Sequence, residues 1–202
     1  DFVDIDPERL CLSPDALEAY CRKKKPKVVI PVDYAGIPAD LPRIYALSKR
    51  YGFKVIEDAA HSLGSLYTHK GVRYACGSCA HADLATLSFH PVKNITTGEG
   101  GAALTNSSKL ADRVRLLRSH GMVKYPIKAP WYYAMPELGY NYRITDIQCG
   151  LGLSQLRRLK TFKRQREALA STYDKAFEGA DGIIIPPRPE GADICHHLYP
   201  VQ

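Results

Sequence analysis

The chain has 202 residues, 45% of them hydrophobic, which is enough to bury one substantial core. Its formal net charge of +7 is dispersed, and no basic stretch is interleaved with aromatics, so a nucleic-acid partner is not expected. No apolar run is long enough to span a bilayer, so a membrane partner is not expected either.

The chain opens on Phe2-Val3-Asp4-Ile5-Asp6, read as the tail of a strand. Ser13-Pro14-Asp15 starts a helix: the serine oxygen caps it and proline fits its first turn. This helix runs to Arg22-Lys23-Lys24-Lys25, a solvated C-terminus whose charge complements the helix dipole. Residues 27–32 form a short apolar strand. Asp40 caps a helix through Leu41, Ile44, Tyr45, Leu47 and Ser48, ending at Gly52. Residues 53–56 form the next buried strand. Strand, helix, strand in this order predicts a mostly parallel α/β sheet.

A third strand is expected over residues 84–89 and a fourth over residues 101–105. Ser107 or Ser108 then caps a helix carrying Leu110, Val114 and Leu117. From Met122 to Gly139 the chain is rich in Pro, Tyr and Lys and reads as a long loop. Thr145 caps a long amphipathic helix through Ile147, Leu151, Leu153, Leu156 and Leu159, continuing to Phe177. Residues 197–202 read as the start of a new strand.

Six cysteines occur, without the density of a disulfide scaffold and with no signal-peptide pattern before them. A reducing cytoplasm is the expected compartment. Cys76-Gly-Ser-Cys79 with His69 and His81 lacks the second pair that a zinc site needs. Structural thiols are the expectation, with no metal.

The informative pattern lies at two strand ends. One strand closes in Val55-Ile56-Glu57-Asp58-Ala59-Ala60-His61. Another closes in Ser88-Phe89-His90-Pro91-Val92-Lys93, followed by Thr96-Thr97-Gly98-Glu99-Gly100-Gly101. In open α/β sheets, ligands bind beyond the carboxyl ends of the parallel strands. A strand-end acid, with a hydroxyl five residues before a lysine in a Gly-rich setting, is what pyridoxal phosphate needs. Lys93 supplies the amine and Asp58 the partner of the ring nitrogen. Ser88 offers a phosphate donor. Each residue alone has a plainer reading: Asp58 as a helix cap, His61 as a bonded core histidine, Lys93 as a surface lysine. Their order and position carry the functional one.

Those two segments, with Gly139-Tyr140-Asn141-Tyr142-Arg143-Ile144-Thr145-Asp146-Ile147-Gln148, resemble the DegT/StrS-type sugar aminotransferases. The resemblance covers nearly the whole chain. It implies the aspartate-aminotransferase-like fold (fold type I of the pyridoxal-phosphate enzymes), with residues 1–143 in the cofactor-binding large domain. Residues 144–202 would be a linking helix and the start of a small C-terminal domain. It further implies that Lys93 is the Schiff-base lysine, Asp58 the ring-nitrogen partner and Ser88 a phosphate ligand. His61 would sit beside the ring, and Asn141 would reach the partner subunit's cofactor phosphate in a homodimer. His90-Pro91-Val92-Lys93, Arg118-Ser119-His120-Gly121-Met122 and Leu151-Gly152-Leu153-Ser154-Gln155-Leu156 are most similar to one branch. That branch aminates C4 of a UDP-linked 4-keto-6-deoxy-N-acetylhexosamine, with glutamate as donor, on the way to pseudaminic acid. Full members carry more chain at both ends, including a Gly-Thr/Ser helix start that binds phosphate, so this sequence reads as a partial one. Two alternatives stay open: a pyridoxal-phosphate sugar dehydratase, and a non-catalytic relative of the same fold. In the dehydrating relatives the lysine is commonly replaced by His, so Lys93 favours amino transfer.

Overall fold

Ser13 accepts from the Ala16 amide and so starts α1 (Pro14–Lys23). The computed structural model describes residues 1–124 and 129–202. Before α1, β1 (Ile5–Asp6) and β2 (Cys11–Leu12) pair antiparallel. β3 (Val28–Val29) leads through a short 3-10 turn, Tyr34–Gly36, to α2 (Leu41–Tyr51). Asp40 accepts from the Arg43 amide at one end of α2, and Gly52 closes the other in the left-handed region. β4 (Lys54–Asp58) follows, then a hairpin of β5 (Leu66–His69) and β6 (Val72–Ala75). β7 (Leu84–Ser88), β8 (Gly101–Leu104) and α3 (Ser108–Arg118) come next. β9 (Val123–Lys124) pairs with β10 (Tyr133–Ala134). The expected 122–139 loop includes residues 125–128, which lie outside the described residues.

The central sheet runs β3-β4-β7-β8. β3, β4 and β7 are parallel and β8 is antiparallel to β7. This is the mostly parallel sheet read from the chain order. Register pairs Asp58 with Thr86, and Ser88 with Gly101, so the acid and the hydroxyl end neighbouring parallel strands. The core gathers Leu17 of α1, Leu41 and Ile44 of α2, Val55 of β4 and Ile37, all at most 1% exposed. Truncating one of these to alanine is worth about 2–5 kcal/mol, so this layer is what holds the strand ends in place.

Helix α4 (Asp146–Phe177) runs unbroken for 32 residues from a capping box, in which Thr145 and Gln148 bond each other's backbone amides. It buries only Ala170 and leaves Leu151, Leu153, Leu156 and Leu169 exposed. Residues 197–202 do not become a strand. Ile184 and Gln202 exchange one reciprocal pair of backbone bonds, and no ladder extends it.

One buried polar group lies directly beneath the strand ends. Asp33 and Glu57 are 0% and 1% exposed, and with Cys76 their ligand atoms lie within 4.8 Å of one another. Asp33 accepts from the Ala39 amide and the Ser62 hydroxyl, and Glu57 accepts from the Gly77 amide. Two buried carboxyls this close share a proton. Burial, with Asp33 beside it, pushes the Glu57 carboxyl up to about 9. The folded chain therefore holds a proton that the unfolded chain releases near pH 4.5. Between those limits stability falls as pH rises, by up to about 1.4 kcal/mol per pH unit. In Glu57→Gln, an amide N–H can donate to Asp33 while the Gly77 bond survives. Urea unfolding of this chain between pH 5 and 9 should show a steep loss for the parent and a flatter one for the variant. Equal slopes would mean that the pair does not hold a proton.

Candidate active site

Two loops and a returning segment converge beyond the carboxyl ends of β4 and β7. The first loop begins at Asp58. Its Oδ1 accepts from the Ala60 amide, which fixes the carboxylate, and among the described residues Oδ2 has no hydrogen bond. Three residues on, His61 is half-buried, and its Nδ1 accepts from the backbone amide of Ala35 at 3.3 Å. A backbone N–H can only donate, so Nδ1 is bare and the neutral ring carries its proton on Nε2. Burial, then the charge of Lys93, lowers the His61 pKa against the opposing pull of Asp58. His61 is thus a neutral ring with an Nε2–H to offer.

The second loop begins at Ser88, whose Oγ accepts from the His90 amide at 3.4 Å. The loop folds back on its strand: Phe89 donates to the Gly100 carbonyl, and Thr97 donates to the Phe89 carbonyl. Thr96 Oγ1 also donates to the Phe89 carbonyl. Gly100, at φ 155°, turns where a side chain would strike Thr97 Oγ1. Lys93 sits half-buried inside this closed loop, and Gln148 of α4 donates to the Glu99 carbonyl at its rim.

The next residue, Asn94, carried no signal in the sequence. It is 5% exposed, and its side-chain amide donates to the carbonyls of His61, Leu63 and Cys195 at 3.0–3.4 Å. One side chain thereby ties the lysine loop to the histidine loop and to the returning segment. Asn94→Asp would place a carboxylate against three carbonyl oxygens. We expect it to cost about 3 kcal/mol or more of stability by urea unfolding; an unchanged midpoint would remove Asn94 from this role.

The returning segment runs from Ile194 to His197, and of it only His197 falls within the strand expected over residues 197–202. Its Cys195 amide donates to Ser65 Oγ, and its backbone passes so close to Gly36 that a Cβ there would overlap the Cys195 carbonyl. Arg166 of α4 donates to the carbonyls of His196 and His197. His197 then places its ring 4.5 Å from that of His61.

Asn141 is exposed, at the foot of α3, with its backbone bridged to Ser119. Among the described residues, no hydrogen bond or ring contact brings it to the Asp58–Lys93 cluster. It is flanked by Tyr140 and Tyr142, whose rings stack at 4.9 Å. Cys76 and Cys79 do not gather with His69 and His81. Cys79 donates to the Leu104 carbonyl, while Cys76 faces the buried carboxyls. All six cysteines are free thiols.

A fixed carboxylate with a bare oxygen, a neutral imidazole donor, a hydroxyl and an amine on adjacent strand ends form a set of donors and acceptors suited to pyridoxal phosphate. Fold and site together define a class, the α/β core of a pyridoxal-phosphate aminotransferase. The chain belongs to the DegT/DnrJ/EryC1/StrS aminotransferase family, whose profile matches residues 1–202. It is 39% identical to the Campylobacter jejuni UDP-4-amino-4,6-dideoxy-N-acetyl-beta-L-altrosamine transaminase, across 100% of this chain and 51% of that protein. It is 36% identical to the Bacillus subtilis spore coat polysaccharide biosynthesis protein SpsC, again across 51% of the relative. Its fold superposes on Helicobacter pylori PseC, an aminotransferase of pseudaminic acid biosynthesis, with a TM-score of 0.89 and 33% identity. The alignment with PseC covers 100% of this chain and 51% of that one. The chain thus spans about half the length of these relatives.

Proposed function

We propose that the full-length protein transfers an amino group from glutamate to the C4 keto group of a UDP-linked 4-keto-6-deoxy-N-acetylhexosamine. The convergence of Asp58, His61, Ser88 and Lys93 at two neighbouring strand ends carries this reading. The likeness to named sugar-nucleotide transaminases supports the substrate class. The net charge of +7 suits an anionic nucleotide sugar.

Lys93 would hold pyridoxal phosphate through its amine and, once released, would move the proton at the reacting carbon. Asp58 would keep the cofactor's ring nitrogen protonated. Bound, the cofactor supplies an electron sink for the carbon that loses a proton. His61 would donate from Nε2 beside the ring, and Ser88 would hydrogen-bond the phosphate. The test is product analysis: full-length protein, glutamate and the 4-keto sugar nucleotide should yield a 4-amino sugar nucleotide and 2-oxoglutarate. Loss of water from the sugar would instead assign the dehydratase alternative. Absence of any reaction, with no cofactor retained, would assign the non-catalytic one.

The working unit in this reading is a cytoplasmic homodimer contributing to a surface glycan of the pseudaminic acid type. No helix among the described residues is long and apolar enough to cross a membrane. Leu138, Tyr142 and Ile147, all within six residues of Asn141 in the chain, are 72–87% exposed, apolar side chains of the kind that meet another protein. With Asn141 reaching a neighbour's phosphate, Asn141→Ala should weaken cofactor retention. Mixing Asn141→Ala subunits with Lys93→Ala subunits then gives heterodimers with one intact site and one doubly defective site. Activity should partly return on mixing. No return, with subunit exchange confirmed by mass, would remove the shared site.

A further inference from the structure

We infer that His197 is a positioning residue for His61, holding that ring in place and in its Nε2–H form next to Lys93. The inference concerns the same site and rests on the proposed function only for its catalytic consequence. Its geometric part stands on the chain alone.

Both histidines are held by the backbone of one residue, Ala35. The Ala35 amide donates to His61 Nδ1, while the Ala35 carbonyl accepts from the His197 backbone amide at 2.9 Å. Ala35 achieves this in the left-handed region, at φ 59°, which an alanine enters only when its surroundings impose it. Those surroundings are visible. Asp33 accepts from the Ala39 amide across the turn, Ser65 donates to the Gly36 carbonyl, and Gly36 lies against Cys195. The turn is held from both sides, and it presents the two rings to each other, tilted by 51°.

The His197 ring is not accounted for by its own packing. Its Nδ1 is buried with no hydrogen-bond partner among the described residues. Leaving such an atom unpaired costs about 1–3 kcal/mol, so the position is poorly served by histidine as a purely structural residue. What the ring does contact is His61. The charged and titratable groups around the pair are Tyr34, whose ring lies 6.0 Å from that of His61, together with Asp58, Lys93 and Arg166. Asp58 and Lys93 act on His61, and Lys93 and Arg166 act on His197. Burial, His61 and the two cations hold the His197 pKa down at about 4. Both rings therefore stay neutral across the working range. A neutral wall behind His61 excludes water from its Nδ1 face, leaving the Ala35 amide as that nitrogen's partner.

The test uses full-length protein labelled with ¹⁵N-histidine, with His61 assigned by comparison with His61→Gln. In the parent, His61 should show a protonated Nε2 and a bare Nδ1, and titrate below the ordinary histidine range. In His197→Ala, water reaches the Nδ1 face; the titration should move up by about one pH unit and the tautomer signal should become mixed. In His197→Phe, a ring of similar size should restore the parent signals. Pyridoxal phosphate retention, measured by equilibrium dialysis, should weaken about tenfold in His197→Ala and recover in His197→Phe. The acid limb of the pH–rate profile should follow the His61 titration. Unchanged His61 signals in His197→Ala overturn the inference. So does a shifted His61 with unchanged cofactor retention and pH profile. If the parent protein transfers no amino group at all, the proposed function fails, and the ¹⁵N comparison still decides the positioning.

Discussion

Lys93→Ala is expected to abolish amino transfer while leaving the fold intact. The residue is half-buried in a loop closed by its own backbone, and its side chain makes no hydrogen bond or ion pair with the described residues. Removing it orphans no partner and opens no core cavity, so the stability change should stay within about 0.5 kcal/mol. Its neighbour Asn94 keeps its three carbonyl partners and holds the loop in place. What is lost is the only lysine positioned between a strand-end serine and the Gly98–Gly101 turn. Borohydride treatment of the cofactor-loaded full-length protein should fix the label to one peptide, the one containing His90 to Lys93. In Lys93→Ala both the label and the half-reaction with glutamate should disappear. A label on another lysine, or a normal transfer rate in the variant, would show that this motif does not carry the chemistry.

Much of this site could be read in the sequence because its parts are local. Asp58 and Ser88 are legible as strand ends: each closes an apolar run, and parallel strands present their carboxyl ends to ligands. Helix starts at Ser13, Asp40, Ser107 and Thr145 are equally legible, since a capping oxygen bonds an amide only two or three residues away. The long helix runs unbroken through its charged stretch, which contains neither Pro nor Gly.

The missed features are those that depend on distant chain. His197 meets His61 across more than a hundred residues of sequence, and nothing near either one signals the contact. Asn94 reads as an ordinary polar residue until its three carbonyl partners arrive from two other segments. Glu57 reads as one polar residue in a strand, yet its side chain faces Asp33 in the core. The β5–β6 hairpin had a local signal that went unused. Lys70 and Gly71 both adopt positive φ, as a tight two-residue turn requires, and Gly at the second position marks it. The strand expected over residues 197–202 failed for the opposite reason. The pattern is apolar enough, but among the described residues its backbone-to-backbone bonds reach only the Ala35 carbonyl at one end and Ile184 at the other, and no ladder forms between them.

Asp58→Asn should separate binding from chemistry. The substitution is nearly isosteric, and the Asn Oδ1 can keep the bond from the Ala60 amide. The backbone of residue 58 stays held by the Pro31 carbonyl and the Asp33 amide. Fold and loop geometry should therefore persist. Cofactor should still be retained through Lys93 and Ser88. In the proposed role, the change falls on Oδ2, the oxygen without a hydrogen bond among the described residues. A carboxylate oxygen accepts a hydrogen bond and stabilises a protonated ring nitrogen by charge; an amide N–H in its place donates and carries none. Losing that partner should lower turnover by about a hundredfold or more, roughly 2.7 kcal/mol of barrier, with a much smaller change in substrate affinity. Asp58→Glu keeps the charge but moves it by one methylene, so it should fall between parent and Asn variant. The rate and the bound-cofactor spectrum of all three full-length proteins, measured together, decide the matter. If Asp58→Asn turns over at the parent rate, Asp58 is only the cap of the turn that carries His61, and the ring-nitrogen partner must be sought elsewhere.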